Sequence, residues 1–76
     1  MKFLSDLTVG ERAKVVTVTG SDGISLRLLE MGLTPGVALQ LIGTAPLGDP
    51  LELEVRGYRL SVRKNEAARV QVELTE

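Results

Sequence analysis

The sequence predicts a mostly β domain, an antiparallel sheet of about five short strands curled into a small barrel, with one short helix and a helical turn. Apolar and polar residues alternate strictly in Leu51–Val55 and again in Tyr58–Arg63. A two-residue reversal, Arg56-Gly57, separates these segments and predicts a hairpin. Glycines and prolines divide the rest into short segments, and barrel closure would cover the edges of so small a sheet.

The local pattern predicts the other elements in order. Leu4 and Leu7, spaced i and i+3, predict a short turn against the core. The β-branched segment Ala13–Thr19 predicts a strand. Ile24–Met31 predicts a helix, which Gly32 is placed to end in the left-handed conformation. Three further segments complete the prediction, a strand over Val37–Ile42, a helical turn over Lys64–Ala68 and a last strand over Val70–Leu74.

Proline and glycine mark the turns. Pro35 and Gly36 suit the two central positions of a type II turn. The segment 43–50, Gly-Thr-Ala-Pro-Leu-Gly-Asp-Pro, is too interrupted to continue a sheet ladder and predicts a loop. The residues expected to shape turns are Gly32, Pro35, Gly36, Gly48, Pro50 and Gly57.

Alternate residues of the hairpin share a face. Glu52 and Glu54 project together towards solvent, and a solvated charged face explains this pair better than a bound divalent cation does. Acid–base catalysis needs two carboxyl groups in contrasting environments, whereas these two share one. The residues expected to face inward are Leu51, Leu53, Val55, Tyr58, Leu60 and Val62.

Composition excludes several classes of function. The 76 residues contain no Cys and no His, so thiolate zinc sites and Ser-His-Asp or Cys-His catalysis have no ligands or bases. Nine basic residues against ten acidic ones, with only two aromatics, argue against a nucleic-acid partner. No targeting or membrane-spanning segment is visible. We expect one cytoplasmic domain over residues 1–76, without cofactor, metal site or enzymatic activity.

The predicted helix carries more apolar residues than one buried face needs. Ile24, Leu28 and Met31 share a stripe, whereas Leu26 and Leu29 project away from it. Either the helix plugs a barrel end and is buried nearly all round, or the surplus forms a partner-docking patch. Together with the turn after the helix and the proline loop, the candidate partner-binding residues are Leu26, Arg27, Leu29, Leu33, Pro46 and Leu47.

Four segments, which together span nearly the whole chain, resemble the FeoA family of small ferrous iron transport accessory proteins. They are Leu4-x-x-Leu7-x-x-Gly10, the run from Arg27 to Gly36, the loop from Ala45 to Pro50, and Gly57 to Arg63 followed by Glu66-Ala67. The resemblance implies an SH3-like barrel. It also implies a cytoplasmic protein that acts on FeoB, a membrane transporter with a cytoplasmic GTPase domain, so that membrane contact comes only through the partner. The single Arg27 makes this helix less basic than in many members, which favours an apolar contact through Leu26 and Leu29.

Other functions stay open at this point. The same fold occurs as the C-terminal domain of iron-dependent repressors, so a regulatory or peptide-binding domain is the first alternative. An RNA-binding small barrel is the second, and a metalloprotein is a distant third. Ferrous sites usually recruit His together with carboxylate, and the chain has no His to recruit. The missing ligands therefore move the expected function from the metal to a protein partner.

Overall fold

Six antiparallel strands and two short helices make up residues 2–75, the part of the chain that a computed structural model describes. A 3₁₀ turn over Leu4–Asp6 follows the first strand. The predicted class is confirmed, and the additional strand is β1, whose two residues are too few to show a sequence pattern. The elements are β1 (Lys2–Phe3), β2 (Arg12–Val18), α1 (Gly23–Glu30), β3 (Ala38–Thr44), β4 (Leu51–Val55), β5 (Tyr58–Val62), α2 (Lys64–Ala67) and β6 (Val70–Thr75).

The strands lie in the order β1-β6-β2-β3-β4-β5, and every pair of neighbours is antiparallel. The β4–β5 hairpin has the predicted register, with Val55 opposite Tyr58 at the turn. Arg56 and Gly57 both have positive φ, +50° and +86°. This is the type I′ geometry, whose twist matches that of the flanking strands. Within the described residues, β1 and β5 do not pair and are the edges of the sheet, so the expectation that closure covers the edges is wrong.

The core follows the alternation of the strands, with one exception in the hairpin. Leu53, Val55 and Val62 are buried as predicted, and Leu60 is half-buried against the same cluster. Tyr58 is 42% exposed, so the prediction that it faces the core is wrong. Its hydroxyl donates a 2.7 Å hydrogen bond to the carbonyl of Met31, at the end of α1. A phenol needs a hydrogen-bond partner, which a helix end supplies and an apolar core does not.

Helix α1 begins and ends at the predicted signals. The Asp22 carboxylate caps it by accepting a 3.2 Å hydrogen bond from the Ser25 amide. Gly32, at φ +105°, follows the helix in the left-handed conformation, as predicted. The Leu33 amide then donates back to the Leu28 carbonyl, which is the Schellman closure. This closure turns the chain so that the Leu33 side chain enters the core beside the end of the helix.

The turn after α1 is also confirmed. The Val37 amide donates to the Thr34 carbonyl at 3.1 Å, and Gly36 has a φ of +91°. Pro35 and Gly36 therefore occupy the central positions of the predicted type II turn.

Strands β2 and β3 each carry a bulge that the alternation does not predict. The register of β2 against β6 shifts between Val15 and Thr17, so Val16 is an extra residue and lies half-exposed. The register of β3 against β4 shifts between Leu41 and Gly43. Bulges bend a strand and increase its local twist, so these two positions help to curl the sheet around its core.

Candidate docking surface

The predicted partner-binding residues of α1 divide between surface and core. Leu26 is 58% exposed and Leu29 half-buried, whereas Leu28 has no exposed surface. The helix is therefore not buried all round, which favours the docking patch over the barrel plug. Leu33 is fully buried, so its place among the docking residues is wrong, because the Schellman closure directs it inward.

A shallow pocket of about 300 Å³ lies beside Leu26 and Leu29, between them and the loop over residues 20–23. The loop is held by a polar network across the start of α1. Arg69 Nη1 donates to Asp22 Oδ1 at 2.6 Å and to Ser25 Oγ at 3.3 Å. The Ser25 hydroxyl donates in turn to the Thr19 carbonyl at 2.6 Å. These bonds fix the conformation of the loop.

The same network fixes the charge of Asp22. The hydrogen bond from Arg69, followed by that from the Ser25 amide, lowers the pKa of the Asp22 carboxyl below its ordinary value. Asp22 therefore stays ionised at neutral pH and has no tendency to act as a general acid. The pocket consequently offers an apolar rim on an ordered loop, and its polar groups hold that loop in place.

Arg27 is exposed but already has a partner. Its guanidinium forms a salt bridge with Glu66 of α2, whose side chain is only 12% exposed. The other carboxylate oxygen of Glu66 accepts a 3.2 Å hydrogen bond from the Arg63 amide at the start of α2. Arg27 therefore joins α1 to α2, and it follows the exposed Leu26 directly in the sequence.

The proline loop presents the most exposed large apolar side chain among residues 2–75. Leu47 is 97% exposed, and Pro46 before it is exposed as well. Both occupy the centre of a turn that the Gly48 amide closes with a 2.7 Å hydrogen bond to the Ala45 carbonyl. Gly48 has a φ of +88°, which a residue with a side chain adopts at a cost.

The loop is anchored on both sides of Leu47. The Ala45 amide donates to the Pro50 carbonyl at 3.0 Å across the base of the loop. The Asp49 carboxylate accepts a 2.9 Å hydrogen bond from the Lys64 amide, the first residue of α2. Pro50 follows a cis peptide bond. Leu47 is therefore held out to solvent by an ordered backbone.

Helix α2 connects the two candidate surfaces, a relation that the sequence analysis missed. Its first amide contacts the proline loop through Asp49, and Glu66 contacts α1 through Arg27. Glu66 caps the start of α2 by accepting from the Arg63 amide, although Arg63 is not a residue type of the capping-box signature. Its salt bridge to Arg27 was not readable from the sequence, because the two residues are 39 positions apart.

A second apolar pocket also escaped the sequence analysis. It has a volume of about 490 Å³ beside β6, and Val16 and Leu74 line it together with Lys2. Val16 lies on this surface because it continues the exposed positions of β2, Arg12 and Lys14, opposite the buried Ala13 and Val15.

Within residues 2–75, no three acidic side chains come together to hold a metal ion. Glu52 and Glu54 are both exposed on the outer face of β4. No helix of the described part is long and apolar enough to cross a membrane.

Known proteins resemble this chain in both sequence and fold. The family model described as the FeoA domain matches residues 2–74. A protein of Porphyromonas gingivalis named Fe(2+) transport protein A/Fe(2+) transporter FeoB fusion protein is 38% identical over 71 residues, which are 93% of this chain and 8% of that protein. This chain therefore spans a small part of that relative's length.

Two solved structures share the fold over nearly the whole chain. The solution structure of FeoA from Chlorobium tepidum has a TM-score of 0.89 at 37% identity and covers 99% of this chain and 71% of that one. The crystal structure of Stenotrophomonas maltophilia FeoA with zinc, described as a prokaryotic SH3 domain protein, has a TM-score of 0.83 at 32% identity, covering 96% and 91%. The expected SH3-like fold is thereby confirmed, and the chain belongs to the FeoA family, which is associated with ferrous iron transport.

Proposed function

We propose that the chain is a non-enzymatic accessory protein of ferrous iron uptake that docks on the cytoplasmic part of a FeoB-like transporter and modulates it. The observation that carries this proposal is Leu47, 97% exposed on a loop whose backbone is hydrogen-bonded on both sides. The fusion of a FeoA-like segment to FeoB in one relative supports this choice of partner.

The exposed leucines suit a docking role energetically. Burying a leucine side chain against a partner contributes about 1.5–3 kcal/mol of apolar transfer. Ordering a flexible loop on binding would offset part of that gain, and the loop around Leu47 is already ordered. Leu26 and the half-buried Leu29 add a second apolar contact, while Arg27 contributes a polar border.

Binding, rather than chemistry, is the function these groups support. The chain has no His or Cys, and Asp22, the acid nearest the α1 pocket, has a lowered pKa that keeps it ionised. In this proposal ferrous iron is the cargo of the transporter, and the accessory protein changes the transporter's activity through contact from the cytoplasmic side.

Calorimetry with the purified cytoplasmic part of the FeoB-like transporter, with and without a GTP analogue, tests the proposal. Leu47→Asp should weaken binding at least about tenfold, which corresponds to about 1.4 kcal/mol. The matched control is Val9→Asp, since Val9 is a 60% exposed apolar residue on another loop. Both variants should unfold at the wild-type temperature. Wild-type affinity in Leu47→Asp, or an equal loss in Val9→Asp, would overturn the assignment of this surface.

A further inference from the structure

We infer that the open edge of β5 receives an extended acidic segment of the partner as an added strand. The inference rests on the proposed function for the identity of the partner, the FeoB-like transporter. It concerns a part of the molecule that neither Leu26 nor Leu47 occupies, because β5 lies at the end of the strand order.

The hairpin geometry determines which backbone groups of β5 face the open edge. In a two-residue hairpin the residues that flank the turn form a hydrogen-bonded pair, and here they are Val55 and Tyr58. Hydrogen-bonded pairs then alternate along an antiparallel ladder. Tyr58, Leu60 and Val62 therefore use their amide and carbonyl groups towards β4, while those of Arg59 and Ser61 point away from it.

Nothing in the described part of the chain satisfies these outward groups. Within residues 2–75, no group outside the hairpin forms a hydrogen bond with the amide or carbonyl of Arg59 or Ser61. Both residues are exposed. The edge thus presents two donors and two acceptors in the pattern that an added strand would complete.

The charges along this edge determine which kind of partner strand can bind there. Arg59 is exposed within β5, and the exposed Arg63 follows the strand directly, with extended backbone, as the N-cap of α2. On the neighbouring strand β4, Glu54 lies opposite Arg59 and Glu52 lies opposite Ser61. The acidic side chains therefore belong to β4, and the basic ones belong to the edge strand and the residue after it. The salt bridges within residues 2–75 involve neither arginine. A neighbouring strand with acidic side chains at alternate positions would pair with these basic side chains.

The same charges disfavour a second copy of the chain as the occupant. Antiparallel pairing of two β5 edges about Leu60 would place two Arg59 side chains diagonally across the new interface. Like charges across a sheet are destabilising, and basic residues on an edge are a common protection against self-pairing.

Amide hydrogen exchange of the full chain, alone and bound to the transporter's cytoplasmic part, tests this inference. Exchange at Arg59 and Ser61 should slow at least about tenfold in the complex, since both amides would enter a ladder. Ser61→Pro removes one outward donor without breaking the β4 ladder, and it should weaken binding at least about tenfold. Ser61→Ala, which keeps the donor, should bind within about twofold of wild type.

A matched pair of variants at Arg59 tests whether binding requires the positive charge. Arg59→Glu should weaken binding more than Arg59→Gln, and the difference should shrink as salt rises, because screening reduces the repulsion between exposed charges. The hydrogen-exchange experiment uses the wild-type chain, so it tests the inference even if Ser61→Pro fails to fold.

The outcomes separate this inference from the proposed function. Binding that depends on Leu47 but leaves exchange at Arg59 and Ser61 unchanged would overturn the edge inference alone. If these amides are protected in the free chain, and the protection grows with protein concentration, a second copy of the chain occupies the edge. That result would also overturn the edge inference. Absence of any binding to the transporter would overturn the proposed function and this inference with it.

Discussion

Helix α1 offers a direct comparison between an exposed leucine and a core leucine two residues apart. Leu28 is fully buried, and replacing a buried leucine by alanine costs about 2–5 kcal/mol of unfolding free energy. Leu26 is 58% exposed, so the substitution removes less than half of a contribution that is about 1.5–3 kcal/mol when complete. We therefore expect Leu26→Ala to cost about 1 kcal/mol and Leu28→Ala at least twice as much.

Urea unfolding of both variants, followed by circular dichroism, measures the two free energies under one set of conditions. Leu26→Glu extends the comparison to function, because it should leave the fold intact and weaken binding to the transporter's cytoplasmic part. If Leu26→Ala destabilises the chain as much as Leu28→Ala, α1 is core on both faces. The reasoning from exposure would then be refuted, and the contribution of α1 to docking with it.

Two smaller predictions concern the ends of α1. Gly32→Ala places a Cβ against the Tyr58 hydroxyl and forces alanine to a φ of +105°, so it should cost more than the about 1–2 kcal/mol of the left-handed backbone alone. Adding Tyr58→Phe should recover part of the loss in a double-mutant urea series, and strict additivity would contradict the contact. Asp22→Asn keeps the cap but removes the charge bound by Arg69. Because the folded-state pKa of Asp22 is lowered, the charge stabilises the fold above the ordinary carboxyl pKa and this contribution is lost as the pH falls through the folded value. The wild type should therefore exceed Asp22→Asn in thermal stability at neutral pH, with the difference closing in acid; a constant difference would contradict the ion pair.

Much of the fold could be predicted because local and tertiary preferences agree. The hairpin register, the left-handed Gly32 and the type II turn all follow from residue types that only one backbone geometry suits. The exceptions have tertiary causes. Strand β1 exists because β6 pairs with it, and the exposure of Tyr58 depends on a hydrogen bond to Met31, 27 residues earlier. A period-two pattern contains neither kind of information.

The candidate site was less predictable than the fold, for the same reason. Leu26 and Leu47 could be selected as surplus apolar residues, whereas Leu33 looks the same in the sequence and is core. Leu33 is buried only because the chain turns inward after Gly32, and the sequence does not show this inward direction. The Arg27–Glu66 salt bridge likewise requires α2 to lie beside α1, which no local signal shows.

The size of the molecule suggests that the candidate surfaces act together. A standard interface buries about 800 Å² per partner, and the whole chain exposes 4501 Å², so docking would use nearly a fifth of its surface. One leucine on a loop cannot supply that area. Strand β5 runs directly into α2, which contacts the proline loop through Asp49 and α1 through Glu66. A partner that adds a strand to β5 would therefore reach α2 next, and from there both apolar contacts. On this reasoning, Glu66→Gln, which removes the charge that pairs with Arg27 without touching an exposed leucine, should weaken transporter binding in calorimetry by a few-fold, and unchanged affinity would show that the surfaces act separately.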